Sequence, residues 1–304
     1  MQLNVVILNW NARRDTIDCL RRIAGWKRIE ARVCVVDNGS MPDESPAIAE
    51  ACPQVRLVRS DENLGFAGGT NLGIRTLLRE SGAPFLLLNN DVVADEGAIE
   101  QLAQTLEAEP ECALVGPLIY TADEPPTLLS AGSRSPVLHR DHSIKQPPEG
   151  PGVYDAEFVS GAAVVIRATV LQEIGLLNEA YFFGLELADF CRRAQAVGHR
   201  CLVNRAARVA HDIDRASVYR ETLYVYYVVR NRLLYARRFF RFSWPLLLLG
   251  WSLYGLQQAG RLWLKQRRGT ATAIALGVRD GVRGRFGNQN EAVLRLCGVP
   301  PKAA

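Results

Sequence analysis

The sequence predicts an α/β fold in which a mostly parallel sheet carries helices on both faces. Three observations support this prediction. Short apolar runs such as residues 85–88 are continuous, as expected of strands buried on both sides. Segments with apolar residues at helical spacing separate these runs, and the first runs end in polar residues. Such alternation of strands and helices is typical of parallel sheets, whose strands need crossover connections.

The first part of the chain shows the alternation most clearly. Continuous apolar runs predict four strands, at residues 3–8, 33–36, 55–58 and 85–88. Helical faces are predicted between and after them, from Ile17, Leu20 and Ile23, from Ile74, Leu77 and Leu78, and from Ile99, Leu102 and Leu106. The second of these helices follows a glycine-rich segment, residues 63–73, which we predict to be a loop.

Beyond these elements, residues 121–152 are rich in proline, glycine and charge and predict a long surface loop. A helix is predicted from Glu186 to Val197, because Gly198 suits the position just after a helix end. The remaining elements are predicted as a strand within 156–166, a short helix at 168–175, and short strands near 201–203 and 209–210 that lead to His211.

The character of the chain changes after His211. Residues 219–240 are aromatic and basic with helical spacing, and residues 243–256 are a nearly uncharged apolar run. That run is shorter than the ~20 residues needed to span a bilayer. It is flanked by Arg241, Arg261, Lys265, Arg267 and Arg268. Two interpretations are open, an interfacial helix on an anionic membrane surface and a helix packed on the core or in a homo-oligomer interface. We predict a domain at 1–218 and a helical, membrane-contacting extension at 219–304.

Composition excludes several classes of protein. With 304 residues, 48% hydrophobic and 22% charged, the chain is an ordinary globular one. A net charge of +4 is too small to predict nucleic-acid binding. The seven cysteines form no CxxC pair, so they predict neither a zinc site nor a disulfide framework, and a reducing cytosol suits them. The N-terminus enters a strand directly and has no signal-peptide pattern.

Polar residues follow three of the predicted strands: Asn9-Trp10-Asn11, Asp37-Asn38-Gly39-Ser40 and Asn89-Asn90-Asp91. In a parallel sheet these ends lie along one edge, where such sheets bind ligands. Asn89 and Asp91 point the same way in an extended chain, and one carboxylate with an amide suits a hydrated divalent cation beside phosphates. Asp37 suits a base N–H or ribose hydroxyl. Taken singly, each feature is also consistent with a turn or a cap.

The glycine-rich segment Asn63–Asn71 precedes a helix, where backbone can approach an anion closely. It has neither the Lys-Ser/Thr of a Walker loop nor GxGxxG spacing, so a dinucleotide-binding fold is only weakly supported.

Together these residues resemble the family 2 glycosyltransferases, which have the GT-A (Rossmann-like) fold, and in particular the bacterial rhamnosyltransferase-like members. The resemblance covers residues 3 to about 240. It rests on the following segments: Val6–Asn11, Val35–Ser40, Asn63–Gly73, Leu87–Val92 at the place of the family's DxD-type metal motif, Ser160–Ala162, Ile174–Leu176 with Tyr181–Phe183, and Tyr226–Arg232.

The resemblance implies a nucleoside-diphosphate sugar donor (dTDP-rhamnose-like or a UDP-sugar), a divalent cation (Mn²⁺ or Mg²⁺), inversion at the anomeric carbon and a glycan or lipid-linked acceptor in cell-surface polysaccharide assembly. It implies that the metal is held by Asp91 and His211. It also implies that Gly161 and Ala162 lie on the acceptor side. The implied nucleotide-sugar residues are Asn9, Asn11, Asp37, Asn63, Gly68, Asn71 and Asn90. Such a protein would be cytoplasmic and peripheral to the inner face of the membrane.

One position departs from the family pattern. The usual base is the second acid of a pair at a helix start, and here that position is Leu187, which cannot accept a proton. Glu186 and Asp189 flank it, three apart on one helical face, and we favour Glu186 because it begins the helix. An N-terminal pair interacting with the helix dipole is the alternative. Leu187 also motivates a rival reading, a nucleotide-sugar-binding protein without catalysis. A sugar nucleotidyltransferase would need a basic, glycine-rich loop after the first strand, which Asn9-Trp10-Asn11 does not supply.

Overall fold

A computed structural model describes residues 1–212 and 219–300, with Arg220 described by its backbone alone. The described residues fall into two compact units. The first lies within Met1–Ser135, Asp141–Leu177 and Leu187–Ile213, and the second lies within Pro136–Arg140, Asn178–Glu186 and Asp214–Ala304. The boundary predicted after residue 218 falls outside the described residues. Two short segments that precede it in sequence belong to the second unit.

The first unit is built on one sheet. Its strands are β1 Gln2–Asn9, β2 Glu30–Asn38, β3 Arg56–Ser60, β4 Phe85–Asn89, β5 Val92–Val93, β6 Cys112–Thr121, β7 Leu128–Ser130, β8 Val153–Asp155, β9 Ala163–Ile166 and β10 Arg200–His211. The order is β3-β2-β1-β4-β9-β6-β10-β5, with β7 beside β6 and β8 beside β10. Strands β3, β2, β1 and β4 are mutually parallel. Beyond β4 the sheet is mixed, because β9 runs antiparallel to both β4 and β6.

Helices cover this sheet. They are α1 Arg13–Ala24, α2 Ser45–Ala51, α3 Gly65–Leu78, α4 Glu96–Ala108, α5 Ala168–Ile174 and α6 Glu186–Ala196, whose first residue is assigned to the second unit. The helical faces predicted from the sequence are the buried ones: Leu20 and Ile23 of α1 and Ile99 and Leu102 of α4 join the strands in one core. Helix α4 starts where the Asp95 side chain accepts a hydrogen bond from the Ala98 N–H at 2.6 Å.

The glycine-rich segment differs from its prediction, because it is helical from Gly65 onward. A Cβ at Gly69 would lie 2.8 Å from Cδ2 of Leu8, and one at Gly73 would lie 2.5 Å from Cγ1 of Val6. These two glycines, one turn apart, therefore let α3 approach β1 closely. The glycine-rich pattern of residues 63–73 therefore indicates close helix–sheet packing, with a short loop only at its start, residues 63–64.

Two strand predictions also change. The two short strands near residues 201–203 and 209–210 are one strand, β10, interrupted by an irregularity in register between Asn204 and Arg208. The Asn204 side chain accepts a hydrogen bond from the Ala206 N–H at 2.8 Å at that bulge, so a polar residue within the strand stabilises the bulge without ending the strand. Within 156–166, only Ala163–Ile166 forms a strand.

The second unit is helical. It contains a 3₁₀ helix Glu179–Tyr181, a π-helical turn Arg220–Tyr224, and helices α7 Val225–Phe239, α8 Trp244–Leu264, α9 Arg268–Arg283 and α10 Asn290–Cys297. Helix α8 extends well past the predicted run, because small residues bring it against α9: a Cβ at Gly255 would lie 2.7 Å from Cγ2 of Val278. No helix within residues 1–212 and 219–300 is both long and apolar enough to cross a membrane.

Candidate functional site

The polar ends of three parallel strands meet at one edge of the sheet, as predicted. Asn9 at the end of β1 is in register with Asp37 of β2, and Leu8 is in register with Asn89 of β4. Side chains that lie far apart in the sequence are therefore neighbours at the carboxyl ends of the strands, the usual ligand-binding edge of such sheets.

Asn9 is the centre of the first group. It is fully buried, and its amide donates to Glu44 at 2.8 Å and to Asp37 at 3.1 Å. The Thr16 hydroxyl donates to Asn9 Oδ1 at 2.7 Å and accepts from Nδ2 of Asn90 at 2.9 Å. Thr16 and Glu44 were missed from the sequence, because a threonine in a helix and an acid before a helix carry no distinctive pattern. The first group is a rigid polar network that fixes two predicted residues, Asn9 and Asn90.

Asp37, which we predict to contact the nucleoside, is held by side chains of the protein in this structure. Its side chain has no exposed surface. One carboxylate oxygen accepts from Ser40 and Asn9, and the other accepts from Ser45 and the Arg59 guanidinium. In the structure Asp37 therefore holds the loop after β2, and a nucleoside would reach it only after a partner moved.

Arg59 was missed, although it is the next-to-last residue of β3 and lies directly opposite Asp37 in the register. The signal in the sequence that could have identified Arg59 is a basic residue next to the end of the third predicted strand. Its guanidinium also lies 2.8 Å from Asp43. Hydrogen bonding from Ser45 and the charge of Arg59 hold the pKa of Asp43 below its usual value. Arg59 thus places a cation at the rim of the strand-end cluster.

Three other predicted nucleotide-sugar residues use their amides to shape backbone. Asn11, at a positive φ of 51°, accepts a hydrogen bond from the Met41 N–H at 2.8 Å. Asn63 accepts from the Gly65 N–H at 2.8 Å, so it caps the start of α3. Asn71 is buried, donates to the Leu177 carbonyl at 2.8 Å and accepts from the Leu177 N–H at 3.0 Å.

In this structure the Asn71 amide therefore holds the backbone at Leu177, and its predicted contact with the nucleotide sugar stays a prediction. Gly68 lies buried inside α3 rather than in a loop. It belongs to the helix and not to a phosphate-binding turn.

Asp91 and His211 are brought together as the prediction required. Oδ1 of Asp91 lies 3.1 Å from Nε2 of His211, with side chains 37% and 15% exposed. The contact follows from the fold, because β5 runs antiparallel to the end of β10 and pairs Val92 with His211. The N–H of Asp212 also donates to the Asp91 carbonyl at 3.0 Å. A carboxylate and an imidazole thus share a half-exposed position beside the Asn9 network.

Several carboxylates lie near Asp91 and give its surroundings a negative charge. Burial and the nearby charge of Asp91, with smaller contributions from Asp18 and Asp212, raise the pKa of Asp15. Oδ1 of Asp91 is buried and makes no well-formed hydrogen bond within the described part of the chain. These residues fit one divalent cation, which this field would attract. Among the described residues no three acidic, histidine or cysteine side chains form a closed cage. A cation held here would therefore complete its shell with other oxygens, as Mg²⁺ and Mn²⁺ do with phosphates and water.

The predicted acceptor residues lie next to this group. The Asn89 N–H donates to the Ala162 carbonyl at 2.9 Å, which joins the acceptor-side segment to the end of β4. A Cβ at Gly161 would lie 3.4 Å from Cζ of Phe66 and 3.5 Å from Cδ2 of Leu187. Leu187, at the family's base position, is therefore buried next to Gly161, and Phe66 also lies next to that glycine. The apolar replacement is accommodated by packing.

Glu186 and Asp189 have different surroundings. Glu186 is the first residue of α6 and is 7% exposed. Asp189 has no exposed surface and accepts a hydrogen bond from Nε of Arg193 at 2.8 Å. The same guanidinium donates to the carbonyls of Ile174 and Leu176 at 2.6 and 2.7 Å. Asp189 therefore orients an arginine that holds the segment before residue 177. Arg193 was missed, because an i,i+4 pair on a helix is a common surface pattern.

In the second unit, the turn that precedes Glu186 is held by α7. Phe182, Gly184 and Leu185 all have positive φ, at 62°, 82° and 69°. The buried Asn231 amide donates to the carbonyls of Tyr181, Phe183 and Gly184 at 2.9, 2.9 and 2.7 Å. Arg230 donates to the Tyr181 carbonyl at 2.8 Å. We call Arg230 and Asn231 the α7 clamp. Without it, a run of left-handed residues would be strained and its carbonyls unsatisfied.

Solved structures with the same fold are glycosyltransferases. GalNAc-T7, solved with UDP, GalNAc and Mn²⁺, superposes with a TM-score of 0.58 at 14% identity over 70% of this chain and 43% of that chain. The mannosyltransferase PcManGT from Pyrobaculum calidifontis, solved with GDP-Man and Mn²⁺, superposes with a TM-score of 0.54 at 16% identity over 97% of this chain and 79% of that one. The GT-A fold class is confirmed.

The family model described as Glycosyl transferase family 2 matches residues 4–174. The chain belongs to this family, and the protein is a glycosyltransferase. It is 26% identical over 310 residues to a low-salt glycan biosynthesis hexosyltransferase of Haloferax volcanii, covering 94% of this chain and 92% of the relative. It is 25% identical to an N-acetylglucosaminyl-diphospho-decaprenol L-rhamnosyltransferase of Mycobacterium tuberculosis, over 59% of this chain and 66% of the relative. The family resemblance predicted from the motifs is confirmed.

Proposed function

We propose that the protein transfers a sugar, with inversion and with a divalent metal, from a nucleoside-diphosphate donor to a glycan or lipid-linked acceptor in cell-surface polysaccharide assembly. The names of the relatives, a glycan hexosyltransferase and a rhamnosyltransferase of a diphospho-decaprenol, support this class of acceptor. Neighbours with the same fold were solved with UDP or GDP-Man, which supports a nucleoside-diphosphate sugar, with dTDP-rhamnose or a UDP-sugar as the first donors to test.

The observation that carries the proposal is the contact of Asp91 with His211 at the ligand-binding edge of the sheet. These two residues would hold Mn²⁺ or Mg²⁺, and the chemistry such a cation would supply is charge neutralisation on the leaving nucleoside diphosphate. Asn9 and Asn90 position the donor from the rigid network that Thr16 completes. Asp37, through Arg59, keeps the loop after β2 in the shape that the nucleoside meets.

The acceptor hydroxyl needs a base. We assign this role to Glu186, which begins α6 next to the apolar Leu187. Asp189 is the second choice, since its carboxylate is paired with Arg193. Gly161 and Ala162 would line the acceptor side. We propose that residues 1–218 form the catalytic domain and that residues 219–304 bring the protein, as a cytoplasmic peripheral protein, to a lipid-linked acceptor at the inner face of the membrane.

Leu187 favours one second candidate, a protein that binds nucleotide sugars without transferring them. A panel of nucleotide sugars separates the two. Each donor is tested for thermal stabilisation and for slow hydrolysis, with Mn²⁺ and with EDTA. Metal-dependent stabilisation together with hydrolysis or transfer supports the glycosyltransferase. Tight metal-dependent binding with no turnover on any donor or acceptor favours the binding protein, and metal-independent binding contradicts the role of Asp91 and His211.

A further inference from the structure

Helix α8 leaves an apolar stripe exposed. Leu246, Leu249, Leu253 and Leu256 are 74%, 57%, 59% and 50% exposed. Their spacing of three and four residues places them on one face of the helix. Phe242 before the helix and Leu264 at its end continue the same face and are 89% and 82% exposed. We call these six residues the α8 stripe. An apolar face of this length is unusual on a surface that meets only water.

The stripe is not a core face left open by chance. Helix α8 already uses another face for packing, since Gly255 and Ala259 are its buried residues and Gly255 meets α9 at Val278. Trp251 donates from Nε1 to the Val137 carbonyl at 3.0 Å, which secures a third side. The stripe is therefore what remains after α8 has made its contacts within the second unit.

The exposed charges on α8 and directly flanking it in sequence are cationic, although Arg267 and Arg279 of the wider segment pair with Glu221 and Asp280. Between Glu221 and Asp280 the sequence contains ten lysines and arginines and no aspartate or glutamate. Arg241 lies before α8, and Arg261 and Lys265 lie at its end; all three are exposed. An isologous contact between two copies would place this surface against itself, cation against cation. An anionic lipid surface satisfies both the apolar stripe and the flanking charge.

A groove of about 450 Å³ runs beside the stripe, and its lining includes Arg140, Leu246, Trp251 and Tyr254. The Arg140 guanidinium stacks 4.3 Å from the centre of the Tyr254 ring. The backbone of Arg140 is held by Arg232, whose guanidinium donates to the Arg140 carbonyl at 3.3 Å. The same guanidinium stacks 3.9 Å from the centre of the Trp251 ring. Burial lowers the pKa of Arg232 to about 10. Arg140 forms no ion pair with any residue of the described ranges, and it lines the same groove as Leu246 of the stripe.

We propose that the α8 stripe docks on an anionic phospholipid bilayer, with the leucines in the acyl region and Arg140 at a phosphate headgroup in the adjoining groove. This inference rests on the proposed function, because a lipid-linked acceptor is what would bring the protein to a membrane. It assigns the membrane contact to one face of one helix and the headgroup contact to one arginine from a separate segment. The helix lies in the plane of the interface rather than crossing it.

The test is flotation of the full chain with vesicles of phosphatidylcholine, with and without phosphatidylglycerol. The wild type is expected to float with the anionic vesicles and to be released by salt, since the cationic contribution is screened. Leu249→Asp and Leu253→Asp are each expected to lower partition at least about tenfold, because a carboxylate enters the interface from the centre of the stripe. Val197→Asp is the matched control. Val197 directly follows α6 in the first unit, and it is 53% exposed. This variant is expected to float like the wild type.

Arg140→Gln tests the groove. It is expected to reduce the preference for phosphatidylglycerol about fivefold, with partition into neutral vesicles unchanged, since about 1 kcal/mol is the usual contribution of one such cation. Equal partition of the wild type into both vesicles, or flotation of Leu249→Asp like the wild type, overturns the proposal. So does sedimentation that shows a dimer which Leu249→Asp dissociates. Metal-dependent donor binding is measured on the same variants and is expected to be unchanged, so that a failure of donor binding in the wild type is a failure of the proposed function alone.

Discussion

Nε2 of His211 lies 3.1 Å from Oδ1 of Asp91, although the two residues are 120 positions apart in the sequence. The pairing of β5 with the end of β10 creates this contact. The proposed metal site would therefore depend on the pairing of these two strands.

Asp91→Asn is expected to weaken Mn²⁺-dependent binding of a nucleoside diphosphate at least about tenfold, because the amide carries no charge for the cation. His211→Ala is expected to have a smaller effect in the same direction. Calorimetric titration of UDP and dTDP, with Mn²⁺ and with EDTA, measures both. Asp123→Asn, an exposed acid in a loop, is the control. Unchanged metal-dependent affinity in Asp91→Asn would remove Asp91 from the site.

Asp37→Ala is expected to lower the free energy of unfolding by about 3 kcal/mol, because it leaves the Arg59 cation without its buried partner. Donor affinity should fall with it, since the loop after β2 loses its anchor. The double variant Asp37→Ala/Arg59→Ala should be destabilised by less than the sum of the single ones. Urea denaturation beside nucleotide titration checks this. A loss of UDP affinity with unchanged stability would instead mean that Asp37 touches the nucleoside directly.

The placement of the strand ends could be predicted from the sequence, because continuous apolar runs and the polar residues after them are local features. Asp91 was a candidate cation ligand from the polar triplet after its strand, whereas His211 became one only through the family resemblance. The partners of Asp37 could not, since Ser40, Ser45 and Arg59 become neighbours only when three strands are in register. The glycines of α3 were ambiguous for a related reason: close packing on a sheet and close approach to a phosphate both favour glycine.

Glu186→Gln is expected to lower kcat by about 10²–10⁴, the effect of a missing general base, with donor Kd nearly unchanged. Asp189→Asn is expected to act on stability, because it weakens the buried pair with Arg193. Steady-state kinetics and thermal melting of both variants separate the roles. Transfer that survives Glu186→Gln but is lost in Asp189→Asn at an unchanged melting temperature would assign the base to Asp189.

Asn231→Ala is expected to cost at least about 2 kcal/mol of stability, because the carbonyls of Tyr181, Phe183 and Gly184 each lose a hydrogen bond from its amide, although Arg230 still donates to Tyr181. Asn231→Asp should cost at least as much, since it places a carboxylate oxygen against those carbonyls. Gln257→Ala, an exposed position on α8, is the matched control in the same unit. Denaturation curves in which Asn231→Ala and Gln257→Ala coincide would show that the α7 clamp does not hold the turn.

The cysteines should be slow to react in the native protein. Six of the seven are buried. Burial raises the pKa of Cys19 and Cys112 to about 12 and that of Cys34 to about 11, so little thiolate is present at pH 8. At most one thiol, that of the half-buried Cys297, is expected to react quickly with a disulfide reagent, and all seven should react after unfolding. Two or more fast thiols in the native protein would contradict this burial.

The α7 clamp also sets an order of events during synthesis. The left-handed turn at Phe182–Leu185 precedes α6 in the chain. The Asn231 amide that donates to the carbonyls of this turn is translated only after β10. When only the strands of the first unit have emerged from the ribosome, the carbonyls of this turn still lack their Asn231 donor. The turn directly precedes Glu186, the residue that we propose as the base. If Glu186 is the base, as proposed, transfer activity would be acquired only after α7 has emerged from the ribosome, because a chain truncated before α7 lacks the clamp on the turn that precedes Glu186.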